Sequence, residues 1–78
     1  MSRYAPLGAM LRRSGLHHVE VTFREIGDLV CGLPPSSLRH RSWWGNDRYH
    51  VQARAWLDAG YQVDNLDFDA GTVLFRRA

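Results

Sequence analysis

The spacing of apolar residues predicts a helix and then a strand at the start of the chain. Tyr4, Leu7 and Leu11 recur at helical intervals, so we expect a first helix over residues 4–14, which Gly15 would end. From residue 18 to residue 23 apolar and polar side chains alternate, a pattern that is typical of a short strand with one buried face.

A second helix is predicted to follow this strand directly. Thr22 and Glu25 have the spacing of a capping box, and apolar residues then recur at intervals of three and four up to Cys31. Gly32 and the prolines after it should end the helix. Cys31 falls on the apolar side of this helix, so we expect it to be buried as a small hydrophobic residue.

The middle of the chain is predicted to be helical in two pieces. Ser36 or Ser37 can begin a helical segment that runs to about Trp43. After a turn, Asp47 can begin a further helix that extends to Ala59. On that last helix the predicted buried stripe is Tyr49, Ala53, Trp56 and Leu57, and the predicted outward face is Arg48, Val51, Arg54, Ala55 and Asp58.

The C-terminal residues predict a β-hairpin. Alternation begins at Tyr61, changes phase near Asp64-Asn65 as a bulge would require, and resumes after a turn at residues 69–71. The return strand covers residues 72–76. The expected fold is therefore α+β, with three to four short helices packed on a small antiparallel sheet made from the early strand and the hairpin.

This order of elements resembles the winged helix-turn-helix plan. In that plan the last helix before the hairpin reads DNA, which here is the helix predicted over residues 47–59. The chain departs from the plan in the long connection between its second and last helices, which contains prolines and tryptophans where a tight turn is expected. A single domain over residues 1–78 accommodates all the predicted elements.

Charge is distributed unevenly along the chain. The net charge is +2, yet residues 35–56 carry four arginines against one aspartate, and residues 57–78 carry four aspartates against two arginines. All ten basic residues are arginine, which is suited to bidentate contacts with phosphate or guanine, although a GC-rich genome would produce the same bias. The positive charge points to an acidic partner for the middle of the chain.

The basic segment also carries aromatic and amide side chains, a combination that nucleic-acid surfaces use. We therefore expect double-stranded DNA as the partner, contacted mainly through phosphates with some major-groove reading from the 36–54 region. The candidate contact residues are Ser36, Ser37, Arg39, Arg41, Trp44, Asn46, Arg48 and Arg54. Asp64, Asp67 and Asp69 should keep the hairpin away from phosphates, so the helical side is expected to face DNA.

The adjacent Trp43 and Trp44 are expected to have different roles. Neighbouring residues on a helix point about 100° apart, so two adjacent rings do not enter one pocket. One ring should pack inside the core and the other should close its edge or lie at a binding surface.

Short motifs along the whole chain resemble a small uncharacterised bacterial domain family. The matching segments are Tyr4-Ala5-Pro6-Leu7, Thr22-Phe23-Arg24-Glu25-Ile26, Leu33-Pro34-Pro35-Ser36, Trp43-Trp44-Gly45-Asn46 and the stretch from Gln52 to Gly60. The resemblance implies a bacterial origin and one self-contained domain. Some members of that family stand beside nuclease domains, which favours a link to nucleic acid without implying an activity.

Two other classes of function stay open at this point. The chain could be a protein-interaction adaptor that uses Trp44 and the Val51/Ala55 face, and the same face could support a homodimer. It could also be an accessory domain with no ligand of its own.

The residues do not predict an enzyme, a metal site or a cofactor. His40, Asn46 and His50 are too closely spaced for a His-Asn-His nuclease, the histidines and Cys31 do not form a tetrahedral metal pattern, and no glycine-rich phosphate loop is present. The lack of an apolar signal core and of a long apolar run favours a cytoplasmic protein without a membrane partner, associated with the nucleoid if it is a transcriptional regulator or chromosome-associated protein.

Overall fold

A computed structural model describes residues 2–78 of the chain. The helices are α1 (Ala5–Ser14), α2 (Phe23–Val30) and α3 (Val51–Leu57), and the strands are β1 (His18–Thr22), β2 (Tyr61–Asp67) and β3 (Thr72–Arg77). Two short 3₁₀ turns, Pro35–Leu38 and Arg41–Trp44, connect α2 to the segment before α3. The predicted α+β class is confirmed.

The three strands form one antiparallel sheet in the order β1-β3-β2. The early strand therefore pairs with the last strand of the hairpin, an arrangement consistent with a winged helix. The register of the hairpin shifts between Val63 and Asn65, which confirms the bulge predicted at the phase change. The buried residues Val21, Leu66 and Phe75 lie on the face that packs against the helices.

A column of aromatic rings fills the core between the helices and the sheet. Trp44 stacks on Phe23 on one side and on Trp56 on the other, with ring centroids 5.3 and 6.0 Å apart. Trp56 in turn packs against Phe75 of β3, with ring centroids 5.7 Å apart. In a chain of 78 residues such large rings supply much of the buried apolar area, so this column ties the 3₁₀ turns to both α3 and the sheet.

The segment before α3 differs from the prediction. The helix begins at Val51 rather than at Asp47, because the Asp47 carboxylate accepts a hydrogen bond from the Tyr49 N–H at 2.9 Å and so forms a local turn. Tyr49 consequently lies outside the helix and is 92% exposed, although the apolar stripe predicted it to be buried. The helix ends at Leu57, short of the predicted Ala59.

The predicted helical segment from residue 36 to Trp43 is two separate turns rather than one helix. A break at residues 39–40 lets the second turn change direction, so that the Trp44 Nε1–H donates back to the Ser37 carbonyl at 2.8 Å. This bond closes the two turns on each other and positions Trp44 in the core.

Cys31 is exposed, contrary to its predicted burial. The α2 helix ends at Val30, and Cys31 follows in a left-handed conformation with φ of 63°. Its N–H and that of Gly32 both donate to the Gly27 carbonyl, which is a common way for a helix to end. The left-handed residue turns the cysteine away from the apolar face that the helical spacing had assigned to it.

The start of α2 is the capping box that the spacing predicted. The Glu25 N–H donates to Thr22 Oγ1, and the Thr22 N–H donates to the Glu25 carboxylate, each at 3.0 Å. These bonds from Thr22 favour the ionised form, so the pKa of Glu25 is lowered. The contribution of the capping box is therefore present at neutral pH and is lost as the pH falls through that lowered pKa.

The α1 helix packs against both α2 and α3, and its approach to α3 depends on Gly8. A Cβ atom at Gly8 would lie 2.5 Å from the Ala55 carbonyl oxygen, whereas a Cβ atom at Gly27 in α2 would have no neighbour closer than 3.9 Å. Position 8 therefore requires a glycine, because the backbones of α1 and α3 are in contact there. Position 27 has room for a larger side chain.

Gly8→Ala should lower the free energy of unfolding by about 1–3 kcal/mol, because α1 must move away from the backbone of α3. Gly27→Ala is the matched control and should raise the free energy of unfolding by about 0.5–1 kcal/mol through helix propensity. Urea unfolding followed by circular dichroism measures both. Equal effects of the two substitutions would contradict the close approach.

Candidate nucleic-acid interface

A shallow groove of about 320 Å³ lies between α1 and α3. The small side chains of Ala5, Ala9 and Ala55 line it together with Val51, which is 48% exposed. Ala55 lies close to Gly8 of α1, so this residue does not project outward as the sequence predicted. The predicted outward face of α3 is thus one wall of a groove rather than a free helix surface.

Two arginines, Arg12 and Arg54, line this groove, and a third, Arg48, pairs with an aspartate of its lining. The Arg54 side chain is exposed and has no hydrogen bond or ion pair within residues 2–78, and the Arg12 side chain donates only to the Asp58 carbonyl at 3.3 Å. Arg48 pairs with the Asp58 carboxylate at 2.6 Å. Since Asp58 is the only acidic residue among residues 2–78 that lines the groove, and it is already paired, the groove carries a positive surplus.

The predicted patch of four arginines is divided in the structure. Arg41 lies over the Phe68 ring at 5.4 Å and donates to the Leu66 carbonyl, beside Asp67 and Asp69. Its guanidinium group therefore belongs to the acidic hairpin side. Arg39 and Ser36 are exposed in the connection between α2 and α3, with no side-chain partner within residues 2–78.

Ser37 and Trp44 are buried and are removed from the candidate contact residues. The Ser37 hydroxyl donates to the Pro34 carbonyl at 2.7 Å, and its side chain is inaccessible to solvent. Trp44 is 2% exposed and lies within the aromatic column. Both residues hold the connection in place, because hydroxyl and indole groups can satisfy backbone partners inside the core.

Asn46 is committed to internal hydrogen bonds. Its Oδ1 accepts from the Trp56 Nε1–H at 3.0 Å and from the Val63 N–H at 2.8 Å, and its Nδ2 donates to the Val63 carbonyl at 3.0 Å. These bonds use the carboxamide in a structural role, so we assign Asn46 to the fold rather than to a ligand.

Trp43 occupies the edge of the core. It is partly buried, meets Tyr4 at the start of α1 with ring centroids 5.8 Å apart, and its carbonyl accepts a hydrogen bond from Gln52. The prediction that one tryptophan lies inside and its neighbour at the edge is confirmed. The side chain that reaches the surface is Trp43, not Trp44.

Sequence reasoning missed two exposed residues, Arg12 in the lining of the groove and Tyr49 just before α3. Arg12 lies in the last turn of α1, and nothing in its local sequence indicates that α1 lies beside α3. The exposure of Tyr49 could have been predicted from Asp47. An aspartate side chain can hold the residues after it in a local turn as readily as it can cap the start of a helix.

The opposite side of the molecule is acidic and polar. Asp64, Asp67 and Asp69 are exposed on the hairpin, Glu20 is exposed on β1, and Arg76 pairs with Asp64 at 3.3 Å. The helical groove and the sheet therefore carry opposite charge. Among residues 2–78 no helix is long and apolar enough to cross a bilayer, and no group of three histidine, cysteine or acidic side chains is placed to hold a metal ion.

Comparison with known proteins adds a family but no characterised relative. Searches of curated proteins and of solved structures each found no match. One family model, described as "Domain of unknown function (DUF7662)", matches residues 4–78, which include every helix and strand of the fold. The chain belongs to this domain family.

Proposed function

We propose that this domain binds double-stranded DNA through the groove between α1 and α3. The observation that carries the proposal is the exposed Arg54 guanidinium, which has no acidic partner within residues 2–78 and lines the same groove as Arg12. Arginine is suited to phosphate because it donates two parallel hydrogen bonds. The acidic sheet faces away from the duplex in this arrangement.

The proposed contacts divide into phosphate contacts and base contacts. Arg12 and Arg54 would contact phosphates, and Arg48 can add a third contact if its surface ion pair with Asp58 exchanges, since such pairs contribute little to stability. Val51 would reach a base edge in the major groove, where it can touch a thymine methyl group. Tyr49 would pack on the sugar-phosphate backbone from its exposed position before α3.

Such a protein would act by binding rather than by catalysis, as a transcriptional regulator or a chromosome-associated protein of the nucleoid. Ser36 and Arg39 are further candidates for contact with DNA, because both are exposed in the connection between α2 and α3.

Arg54→Ala should weaken the binding of a duplex of about 20 base pairs and reduce the salt dependence. Loss of one phosphate contact should lower the slope of log K against log salt by about 0.9, because fewer counterions are released. Titrations monitored by fluorescence anisotropy between about 50 mM and about 200 mM salt measure this slope.

Arg24→Ala is the matched control for this test. Arg24 is an exposed arginine of α2 with no side-chain partner within residues 2–78, and it does not line the groove. Its replacement should leave both affinity and slope unchanged. Equal losses for Arg24→Ala and Arg54→Ala would contradict the proposed location, and no binding of any duplex by the unmodified domain at low salt would refute DNA binding altogether.

A protein-interaction adaptor is the second candidate, and exposed apolar residues favour it. Leu38, Tyr49 and Val51 are each about half or more exposed. Because Trp44 is buried, an adaptor would use Val51 in its place. If the domain is an adaptor, Val51→Ser should weaken binding of the protein partner more than Arg54→Ala does. If it binds DNA, Arg54→Ala should weaken binding of the duplex more than Val51→Ser does.

A further inference from the structure

A second groove, of about 510 Å³, lies along β1 between α1 and α2. Met10, Val19, Val21 and Leu29 supply its apolar lining, and none of these residues lines the groove between α1 and α3. The second groove is therefore separate from the proposed DNA surface, and it follows the outer edge of the sheet.

The backbone of β1 presents unpaired hydrogen-bonding groups to this groove. The Arg77 N–H donates to the His17 carbonyl, and the Phe23 N–H donates to the Gly71 carbonyl. The backbone N–H and C=O groups of the odd-numbered residues of β1 therefore point toward β3. In an antiparallel pair the bonded positions alternate, and the N–H and C=O groups of His18 and Glu20 therefore point away from the sheet. The Thr22 N–H is already bonded to Glu25.

The opposite edge of the sheet is covered. Asn46 bonds both backbone groups of Val63, and Arg41 donates to the Leu66 carbonyl. Side chains thus occupy the edge of β2 where another strand would pair. Proteins commonly protect an edge strand in this way, and the difference identifies β1 as the edge that is open to a partner.

The charge at the open edge is negative. Glu25 and Asp28 of α2 line the groove, and Glu20 borders it on β1, where the alternation of the strand directs its side chain to the other surface of the sheet. Among residues 2–78 no basic side chain lines the groove. The hydrogen bonds from Thr22 lower the pKa of Glu25 and so favour its ionised form. Arg76, on the strand beside Glu20, is paired with Asp64 and does not neutralise it.

We propose that β1 and this groove form a docking site for an extended peptide segment in which apolar and basic residues alternate. The segment adds to the sheet as a fourth strand and bonds the backbone of His18 and Glu20. Its apolar side chains enter the groove over Val19 and Val21, while its basic side chains face Glu20 on the other surface of the sheet. A second copy of the chain fits poorly, because pairing β1 with itself would bring the two sets of carboxylates together.

Three peptides of about nine residues, each labelled with a fluorophore, test the proposal. The first alternates valine and lysine, the second alternates valine and glutamate, and the third has the sequence of the first with every backbone amide N-methylated, which removes the hydrogen-bond donors and keeps the side chains. We expect the valine–lysine peptide to bind at least about tenfold more tightly than either of the others. Glu20→Lys, at an exposed position, should reverse the preference between lysine and glutamate.

Hydrogen exchange locates the binding and separates it from other modes. The Glu20 amide should exchange at least about tenfold more slowly when the valine–lysine peptide is bound, whereas the Val63 amide should be unaffected. Equal binding of the three peptides, or protection that omits Glu20, would overturn the proposal. A dimer in sedimentation experiments with the Glu20 amide protected before any peptide is added would identify a second copy as the occupant and overturn it equally. None of these results depends on whether the domain binds DNA.

Discussion

Trp44→Ala is expected to unfold a large part of the population at room temperature. Removing a fully buried tryptophan costs about 3–5 kcal/mol, which is comparable with the whole stability of many domains of this size. Trp44 stacks between Phe23 and Trp56, so its loss separates α2 from α3 as well as opening a cavity. Urea or thermal unfolding followed by far-ultraviolet circular dichroism measures the effect.

Two related variants separate the contributions of Trp44. Trp44→Phe retains an aromatic ring in the column but loses the hydrogen bond to the Ser37 carbonyl, and should cost about 1–3 kcal/mol. Trp43→Ala removes a partly buried ring and should cost less than Trp44→Ala. The assignment of Trp44 to the core fails if Trp43→Ala proves the more destabilising of the two.

The same variants address the role of Trp44 in binding. If the ring serves only the core, folded Trp44→Phe should bind DNA with unchanged affinity and an unchanged salt slope. A folded variant with a clear loss of affinity would return Trp44 to the contact surface, through a conformation in which the ring leaves the aromatic column.

Elements defined by regular spacing could be predicted from the sequence. The start of α2 is set by the capping box at Thr22 and Glu25, and β1 and the hairpin show the alternation that one buried face of a sheet requires. The sheet order follows because an early strand and a hairpin in so short a chain have few other ways to share one core.

The connection between α2 and α3 could not be predicted in the same way. Its side chains are placed by bonds to distant parts of the chain, such as Asn46 to Val63 and Arg41 to Leu66. Residue types that are common at nucleic-acid surfaces, including serine, arginine, asparagine and tryptophan, are equally able to satisfy buried or edge backbone groups. The residue composition therefore indicated that the connection is important, but it assigned too many of the side chains there to the binding surface.

The Asn46 carboxamide should contribute more to stability than any other polar side chain of this connection. Asn46→Ala leaves the Nε1–H of fully buried Trp56 without its acceptor and exposes both backbone groups of Val63 at the edge of β2. We expect a loss of about 2–4 kcal/mol in the free energy of unfolding, because an unsatisfied buried donor costs about 1–3 kcal/mol and the bonds to Val63 are lost as well. Urea unfolding measures this loss. In the unmodified protein the Trp56 indole proton should exchange slowly with solvent, and in the variant this protection should be lost.

Asn65→Ala is the matched control for this prediction. Asn65 lies exposed on the bulged part of β2, and its side chain has no hydrogen bond within residues 2–78, so its replacement should change the stability by less than about 0.5 kcal/mol. Asn46→Asp keeps an acceptor for Trp56 and for the Val63 N–H but cannot donate to the Val63 carbonyl, and should fall between the two. Similar stabilities for Asn46→Ala and Asn65→Ala would mean that water replaces the carboxamide at the edge of β2. In that case the aromatic column and the bond from Arg41 to the Leu66 carbonyl, and not Asn46, would join the connection to the sheet.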